Sequence, residues 1–105
     1  MGATALAYSE KREMQRDEVD YRARAYGGDA QPLSIHVVNL SAQGLMARVT
    51  GDRPIGERLH LTLPVVGDLV AVVRWSLGGR IGCELDQPIR IAEYYELLAA
   101  LLRGR

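Results

Sequence analysis

The segment LVAVVRWSLGGRIGCEL, residues 69–85, carries the clearest indication of the fold. Its apolar run over residues 69–75 predicts a strand that ends near Gly78 and Gly79, and residues 80–85 predict a second strand after that turn. Two strands joined by a short glycine turn pair as an antiparallel hairpin. The stretch therefore indicates a protein built from antiparallel β-structure.

The same period of two recurs in the chain before this hairpin. Apolar residues at alternate positions predict four earlier strands, each stopped by a Gly, Pro or polar turn. These residues are Val19, Tyr21, Ala23 and Ala25; Leu33, Ile35 and Val37; Leu45, Ala47 and Val49; and Leu59, Leu61 and Leu63. Six short strands with no helical pattern between them indicate an antiparallel sandwich or barrel, and closure into a barrel would remove the exposed edges of so small a sheet.

The periodicity changes after Pro88. Apolar residues then recur at helical spacing and predict one C-terminal α-helix over residues 91–103. Only Glu93, Glu96 and Arg103 clearly interrupt the apolar surface of this helix. Two arrangements follow: the helix covers an open end of the barrel, or it packs on the barrel with one face and offers the other face to a partner.

Composition narrows the class of protein. The 105 residues suffice for one core, and 13 basic residues balance 13 acidic ones, so a net charge of zero argues against general binding of DNA or RNA. No apolar run is long enough to span a bilayer, and the first six residues lack the features of a signal peptide. We therefore expect a cytoplasmic protein without membrane insertion.

Few residues could carry catalysis. His36 and His60 are predicted to occupy half-exposed strand positions, and Cys83 is predicted to be a buried, inert thiol. No nucleotide-binding loop, nucleophile elbow or metal-ligand spacing is present. The sequence therefore predicts that the protein is not an enzyme and that it holds no metal or cofactor.

Two arginines stand out in the charged segment before the first strand. Residues 1–10 are predicted to be a flexible lead, and the charge-dense residues that continue to Glu18 are predicted to be a solvated arm. Arg12 and Arg16 are four residues apart, with Lys11 beside the first, so two guanidinium groups could converge on one anionic ligand. Ion pairs with glutamates of the same segment explain the pattern equally well.

A second polar cluster, NLSAQG over residues 39–44, lies between the second and third strands. Asn39 and Ser41 are turn-forming residues whose side chains bond to nearby backbone, and Gly44 permits a positive φ. These properties by themselves predict a hairpin connection.

Taken together, the motifs resemble the PilZ domain family. An RxxxR arm is followed by a strand and by an [Asp/Asn]xSxxG turn that begins at Asn39, 23 residues after Arg16, and residues 73–85 are similar to the family's late hairpin. The resemblance implies one PilZ-like domain over residues 11–105, an all-β, six-stranded antiparallel β-barrel with a C-terminal α-helix. It also implies a stand-alone receptor that binds the bacterial second messenger cyclic di-GMP and relays occupancy to an unidentified downstream protein.

The resemblance further implies which residues bind the ligand. In the family the two arginines grip phosphate and guanine, and the polar turn holds a guanine base and the backbone around it. In this chain the corresponding residues are Arg12, Arg16, Asn39, Ser41 and Gly44. Lys11 is an additional candidate, because an extra cation there would help to hold a second ligand molecule.

Two other functions stay open. A PilZ-like adaptor that has lost nucleotide binding would act through protein contacts alone, with the apolar C-terminal helix as its contact surface. A small barrel that binds single-stranded nucleic acid would need exposed aromatic residues beside cations, and Tyr21 and Tyr26 near Arg22 and Arg24 form the only such group. For any of these functions the chain is expected to be a monomer or a homodimer.

Overall fold

In the part of the chain that the structure describes, six strands and then a helix follow one another in the predicted order. The computed structural model describes residues 15–103, so the predicted lead, Lys11 and Arg12 lie outside the described residues. The strands are β1 (Asp17–Tyr26), β2 (Pro32–Leu40), β3 (Gly44–Arg48), β4 (Arg58–Leu63), β5 (Gly67–Leu77) and β6 (Arg80–Leu85), and the helix is α1 (Ile91–Arg103).

The six strands close into a barrel. Neighbouring strands pair antiparallel in the order β1-β2-β3-β6-β5-β4, and β4 then pairs with β1. This last seam is the shortest, because β1 and β4 share two residue pairs, Ala25 with Leu61 and Tyr26 with His60. Closure confirms the barrel and excludes the sandwich.

Alternate residues of the strands fill the barrel. Buried aliphatic side chains point inward at the positions that the period of two predicts, and they form one core together with residues of α1. The largest fully buried side chains of the strands are those of Ile35, Val37, Leu40, Leu45, Leu59, Val73 and Ile81. Burial of each such side chain stabilises the fold by about 1.5–3 kcal/mol. Tyr21 and Val49 are half-buried at the margin of this core.

The start of β1 differs from the prediction. The charge pattern predicts an arm that continues to Glu18, but β1 begins at Asp17. Asp17 pairs with Leu40 of β2, and the Tyr94 hydroxyl donates to its carboxylate at 2.6 Å. Contacts with β2 and α1 therefore order a segment that lacks apolar periodicity of its own. Strand β5 also begins two residues earlier than predicted, because its pairing with β4 continues to Gly67.

Register shifts interrupt three of the strand pairs. In β2 the shift falls between Val37 and Asn39, beside the polar turn. In β5 it falls between Val73 and Trp75, so Arg74 is not paired with a residue of β6. A β-bulge of this kind bends the strand and changes the direction of its side chains.

Helix α1 packs on the barrel with one face. Its buried residues are Tyr94, Leu97 and Leu101, and its exposed apolar residues are Ile91, Tyr95 and Leu102. Glu93 in the first turn and Arg103 in the last turn complement the helix dipole. The helix therefore contributes to the core and also leaves apolar side chains on its outer face.

The ion pair between Arg53 and Glu57 connects two loops of the barrel. Arg53 donates two hydrogen bonds to Glu57 at 2.7 and 2.6 Å, and Glu57 also accepts the Gly28 N–H at 3.0 Å. The hydrogen bonds from Arg53 hold the pKa of Glu57 below its usual range, against the opposing effect of burial. The pair therefore ties the turn between β1 and β2 to the loop before β4.

Candidate ligand site

The turn between β2 and β3 is built around one hydroxyl group. The Ser41 Oγ accepts the N–H groups of Gln43 and Gly44 at 3.2 and 3.1 Å, and it lies 3.4 Å from the Gly44 carbonyl oxygen. The Ser41 N–H donates to the same carbonyl oxygen at 2.9 Å. Because Ser41 is buried, these bonds satisfy a polar group that would otherwise be costly to remove from water. They also confirm the predicted hairpin connection.

Gly44 is required by the close approach of two strands. A Cβ atom at this position would lie 2.5 Å from the Cys83 carbonyl oxygen on β6, which is well inside van der Waals contact. Gly44 is not among the residues with positive φ, so the turn does not use the left-handed conformation that glycine permits. The missing side chain instead allows β3 to lie directly against β6.

Arg16 reaches the turn from the residue before β1. Its Nη1 donates to Asn39 Oδ1 at 3.2 Å, across 23 residues of sequence. The second arginine of the RxxxR motif is therefore in direct contact with the first residue of the NxSxxG motif. Because the Asn39 amide is neutral, it orients the guanidinium without cancelling its charge.

A pocket of about 380 Å³ lies next to these residues, on the outside of the barrel. Its lining consists of Arg16, Ser41, Gln43, Gly44, Arg74, Trp75, Gly82, Cys83 and Glu84. Small-molecule sites typically have volumes of about 300–1,000 Å³. Asn39 stands beside the pocket through its bond to Arg16. The structure thus brings four of the predicted site residues together, whereas Lys11 and Arg12 lie outside the described residues.

The indole ring of Trp75 forms one side of the pocket. It covers Gly82 on β6, where an added Cβ atom would overlap the ring. Trp75 is 41% exposed, so the ring also presents an apolar face to solvent. Exposed aromatic faces of this kind can stack on nucleotide bases.

A charged pair lies beside the indole. The Nε and Nη2 atoms of Arg74 both donate to Glu84 Oε1, at 3.0 and 2.6 Å. The Arg74 and Glu84 side chains are 57% and 59% exposed. The lining of the pocket therefore includes two guanidinium groups, those of Arg16 and Arg74, and one carboxylate.

Sequence reasoning did not identify six of the lining residues, which are Gln43, Arg74, Trp75, Gly82, Cys83 and Glu84. Neighbours in a regular strand point to opposite faces, so alternation assigns Arg74 and Trp75 to different sides of β5. The bulge at Arg74 changes this, and both side chains are exposed. Gly82, which pairs with Trp75, is the one sequence signal that could have indicated a large ring lying on β6.

Helix α1 is bonded to both parts of the site. The Tyr94 hydroxyl lies 2.6 Å from the Asp17 carboxylate and 2.9 Å from the Leu40 carbonyl oxygen, and it shares its proton between these two acceptors. Asp17 adjoins Arg16, and Leu40 adjoins the turn. Burial raises the pKa of Tyr94 well above its usual value, and the hydrogen bond to Asp17 raises it further, so the phenol stays protonated.

Backbone hydrogen bonds connect the same turn to the segment that enters the helix. The Leu85 N–H donates to the Gln43 carbonyl at 2.8 Å, and the Ile89 N–H donates to the Ala42 carbonyl at 2.7 Å. The turn, the end of β6 and the start of α1 therefore form one hydrogen-bonded unit.

The three residues that the sequence offers for catalysis are His36, His60 and Cys83. Cys83 is buried, and burial raises the pKa of its thiol to about 12, so it is protonated at neutral pH and is a poor nucleophile. His36 is partly buried and lies 2.5 Å from Asp20 Oδ1, and His60 is exposed on β4. Within residues 15–103, no group of three or more His, Cys, Asp or Glu residues could hold a metal ion.

The fold and the site define a class of protein: a small, closed antiparallel β-barrel with a C-terminal helix and a pocket bordered by two arginines. The family model of the PilZ domain matches residues 10–104, nearly the whole chain. The chain belongs to the PilZ domain family, whose members generally bind cyclic di-GMP. No curated protein matches the sequence. In the part of the chain that the structure describes, no helix is long and apolar enough to cross a membrane.

Proposed function

We propose that this PilZ domain is a receptor that binds cyclic di-GMP in the cytoplasm and passes ligand occupancy to a protein partner. One observation carries the proposal. Arg16 is distant in the sequence from Asn39 and from the turn around Ser41, yet all three meet beside one pocket of about 380 Å³. Membership of the PilZ family supplies the class of ligand.

The chemistry of the pocket suits this ligand. Cyclic di-GMP carries two negatively charged phosphodiesters and two guanine bases. The Arg16 guanidinium can donate to phosphate oxygens, and each charge-assisted hydrogen bond is worth about 1.5–3 kcal/mol. The Trp75 ring offers a stacking face for a base, and the Asn39 amide offers a donor and an acceptor for its polar edge.

Ser41 contributes to binding chiefly through the turn. Its hydroxyl group already bonds to two backbone N–H groups, so it fixes the turn that places Gln43 on the pocket. Gly44 contributes through the close contact of β3 with β6. Arg12 and Lys11 would supply further cations from the preceding residues.

Helix α1 is the proposed route to the partner. The turn is hydrogen-bonded to the segment that enters α1, and Tyr94 bonds the helix to both parts of the site. The outer face of α1 exposes Ile91, Tyr95 and Leu102. Exposed apolar residues on one helix face are typical of protein contact surfaces.

Calorimetric titration with cyclic di-GMP tests the receptor function. The wild type should bind with micromolar or tighter affinity, and Arg16→Ala should weaken binding by about tenfold or more, because a charge-assisted hydrogen bond is lost. Arg12→Ala/Arg16→Ala should abolish binding. The matched control is Arg22→Ala, which removes an exposed arginine of β1 that does not line the pocket. Equal losses in Arg16→Ala and Arg22→Ala would show that only overall charge matters and would overturn the assigned site.

The exposed apolar residues of α1 also favour a second function, that of an adaptor that acts through protein contacts without a nucleotide. A folded wild type that binds no cyclic di-GMP by calorimetry or by an independent assay would establish this alternative over the receptor. Hydrogen exchange of α1 separates the two further. For a receptor that relays occupancy, exchange in α1 should change when cyclic di-GMP is added, and unchanged exchange in the bound protein would remove the helix from the proposed route.

A further inference from the structure

The bulge in β5 gives the pocket two side chains that a regular strand would send to opposite faces. Val73 pairs with Cys83 and Trp75 pairs with Gly82, so Arg74 is the extra residue. As a result, Arg74 and Trp75 are both exposed and both line the pocket. Bulges are over-represented beside functional sites, where they re-aim side chains in this way.

The partner of Arg74 holds it only weakly. Both of its hydrogen bonds go to one oxygen of Glu84, and each side chain is more than half exposed. Exposed ion pairs contribute little to folding, because water solvates the charges and salt screens them. An anionic ligand can therefore replace Glu84 at small cost.

The positive charges of the two arginines in the pocket are neutralised to different extents by their partners. Arg16 is held by the neutral amide of Asn39, so its positive charge is available to a ligand. The charge of Arg74 is offset by the Glu84 carboxylate. A ligand with two separated phosphates gains most from a second guanidinium, whereas a simple anion meets the negative charge of Glu84 without other contacts to offset it.

We propose that Arg74 is a further ligand-binding residue of this pocket and that Glu84 sets selectivity by competing with anions for it. The inference rests on the receptor function proposed above. Cyclic di-GMP, with bases that can stack on Trp75 and a phosphate at Arg16, makes enough contacts to displace Glu84 from Arg74. Small anions that lack those contacts do not.

A double-mutant cycle tests this competition, with cyclic di-GMP and inorganic pyrophosphate as probes. Trp75 is the single tryptophan of the chain, so its fluorescence reports on the pocket directly. Glu84→Gln should tighten binding of cyclic di-GMP by about fivefold and make pyrophosphate binding detectable. Arg74→Ala should weaken cyclic di-GMP binding by about tenfold. In Arg74→Ala/Glu84→Gln, the tightening caused by the second substitution should fall below about twofold.

A second exposed ion pair provides the matched control. Arg58 Nη2 donates to Asp86 Oδ2 at 3.1 Å, and neither residue lines this pocket. Asp86→Asn removes the same charge as Glu84→Gln and should leave affinity within about twofold of the wild type. Equal tightening by Asp86→Asn and Glu84→Gln would overturn the inference and leave the receptor function standing, as would an effect of Glu84→Gln that does not need Arg74. A wild type that binds no cyclic di-GMP overturns the receptor function and this inference with it.

Discussion

Two glycines shape the pocket because they have no side chain. Gly44 allows β3 to lie against the Cys83 carbonyl, and Gly82 allows the Trp75 ring to lie flat on β6. A side chain at either position would meet atoms that are already in place. Both glycines line the pocket, and Arg16 lies beside them with its guanidinium oriented by the Asn39 amide.

Replacement of Gly44 tests this close contact. Gly44→Ala should lower the free energy of unfolding by about 1–3 kcal/mol, because the new Cβ atom would press on the main chain of β6 rather than on a flexible side chain. Urea denaturation measures the loss. Gly28→Ala is the matched control, since its Cβ atom would meet Glu57 Cγ at 3.7 Å, an ordinary contact distance. A loss for Gly44→Ala no larger than for the control would contradict the role assigned to Gly44.

The secondary-structure elements could be predicted from the sequence wherever burial on one face imposes a regular spacing of apolar residues. The period of two predicts the strands, and the helical spacing predicts α1 with its observed bounds, because inward-facing positions must be apolar in both kinds of element. The bulge at Arg74 depends on pairing with β6, which no local pattern records. The ordered conformation of β1 at Asp17 depends likewise on contacts that are distant in the sequence, namely the pairing with β2 and the hydrogen bond from Tyr94.

The candidate site was predictable only in part, for a similar reason. The resemblance of two motifs predicts that Arg16 and Asn39 serve one site, and the structure places them in contact. Periodicity could not identify Arg74 or Trp75 as lining residues, because a regular strand would separate them. Arg12 lies outside the described residues, so its place at the site stays a prediction.

The attachment of α1 to the barrel depends on one phenol. Tyr94→Phe removes the donor shared by the Asp17 carboxylate and the Leu40 carbonyl. The variant should lower the free energy of unfolding by about 1–3 kcal/mol at neutral pH, because a partly buried carboxylate and a buried carbonyl lose a donor. Urea denaturation followed by circular dichroism measures the change. Tyr26→Phe, which alters an exposed phenol on β1, should stay within about 0.5 kcal/mol of the wild type. If the two variants are equally stable, water replaces the Tyr94 hydroxyl and the helix is held by apolar contacts alone.

In the molecule as a whole, one core serves the barrel and the helix together. The core contains two groups that ionise at high pH, the Cys83 thiol and the Tyr94 phenol. Burial is the main cause that raises the pKa of each, to about 12 for Cys83, and negative charge at Glu57 and Asp17 adds to the effect. The folded protein keeps both groups neutral at a pH where the unfolded chain releases their protons.

Stability should therefore fall in alkaline solution. The folded pKa of Cys83 lies above its unfolded value of about 8.5, so its contribution is fully present below that pH and is lost as the pH rises toward 12. Urea midpoints between pH 7.5 and pH 10.5 measure the decline, which reaches about 1.4 kcal/mol per pH unit for one group. Cys83→Ala should be less stable than the wild type at pH 7.5 but should lose less between pH 8.5 and pH 10.5. Parallel declines in the two proteins would show that Cys83 ionises as readily in the folded state.

The pocket depends on different residues for its shape and for its chemistry, and this affects how such a domain can diverge. Its shape is fixed by Gly44, Gly82 and the strands that the core holds in register, whereas its chemistry is carried by exposed side chains such as Arg74, Trp75 and Glu84. Substitutions at those exposed positions cost little folding energy. Descendants of one ancestral gene can therefore exchange one ligand for another, or abandon ligands for protein partners, while inheriting the same barrel.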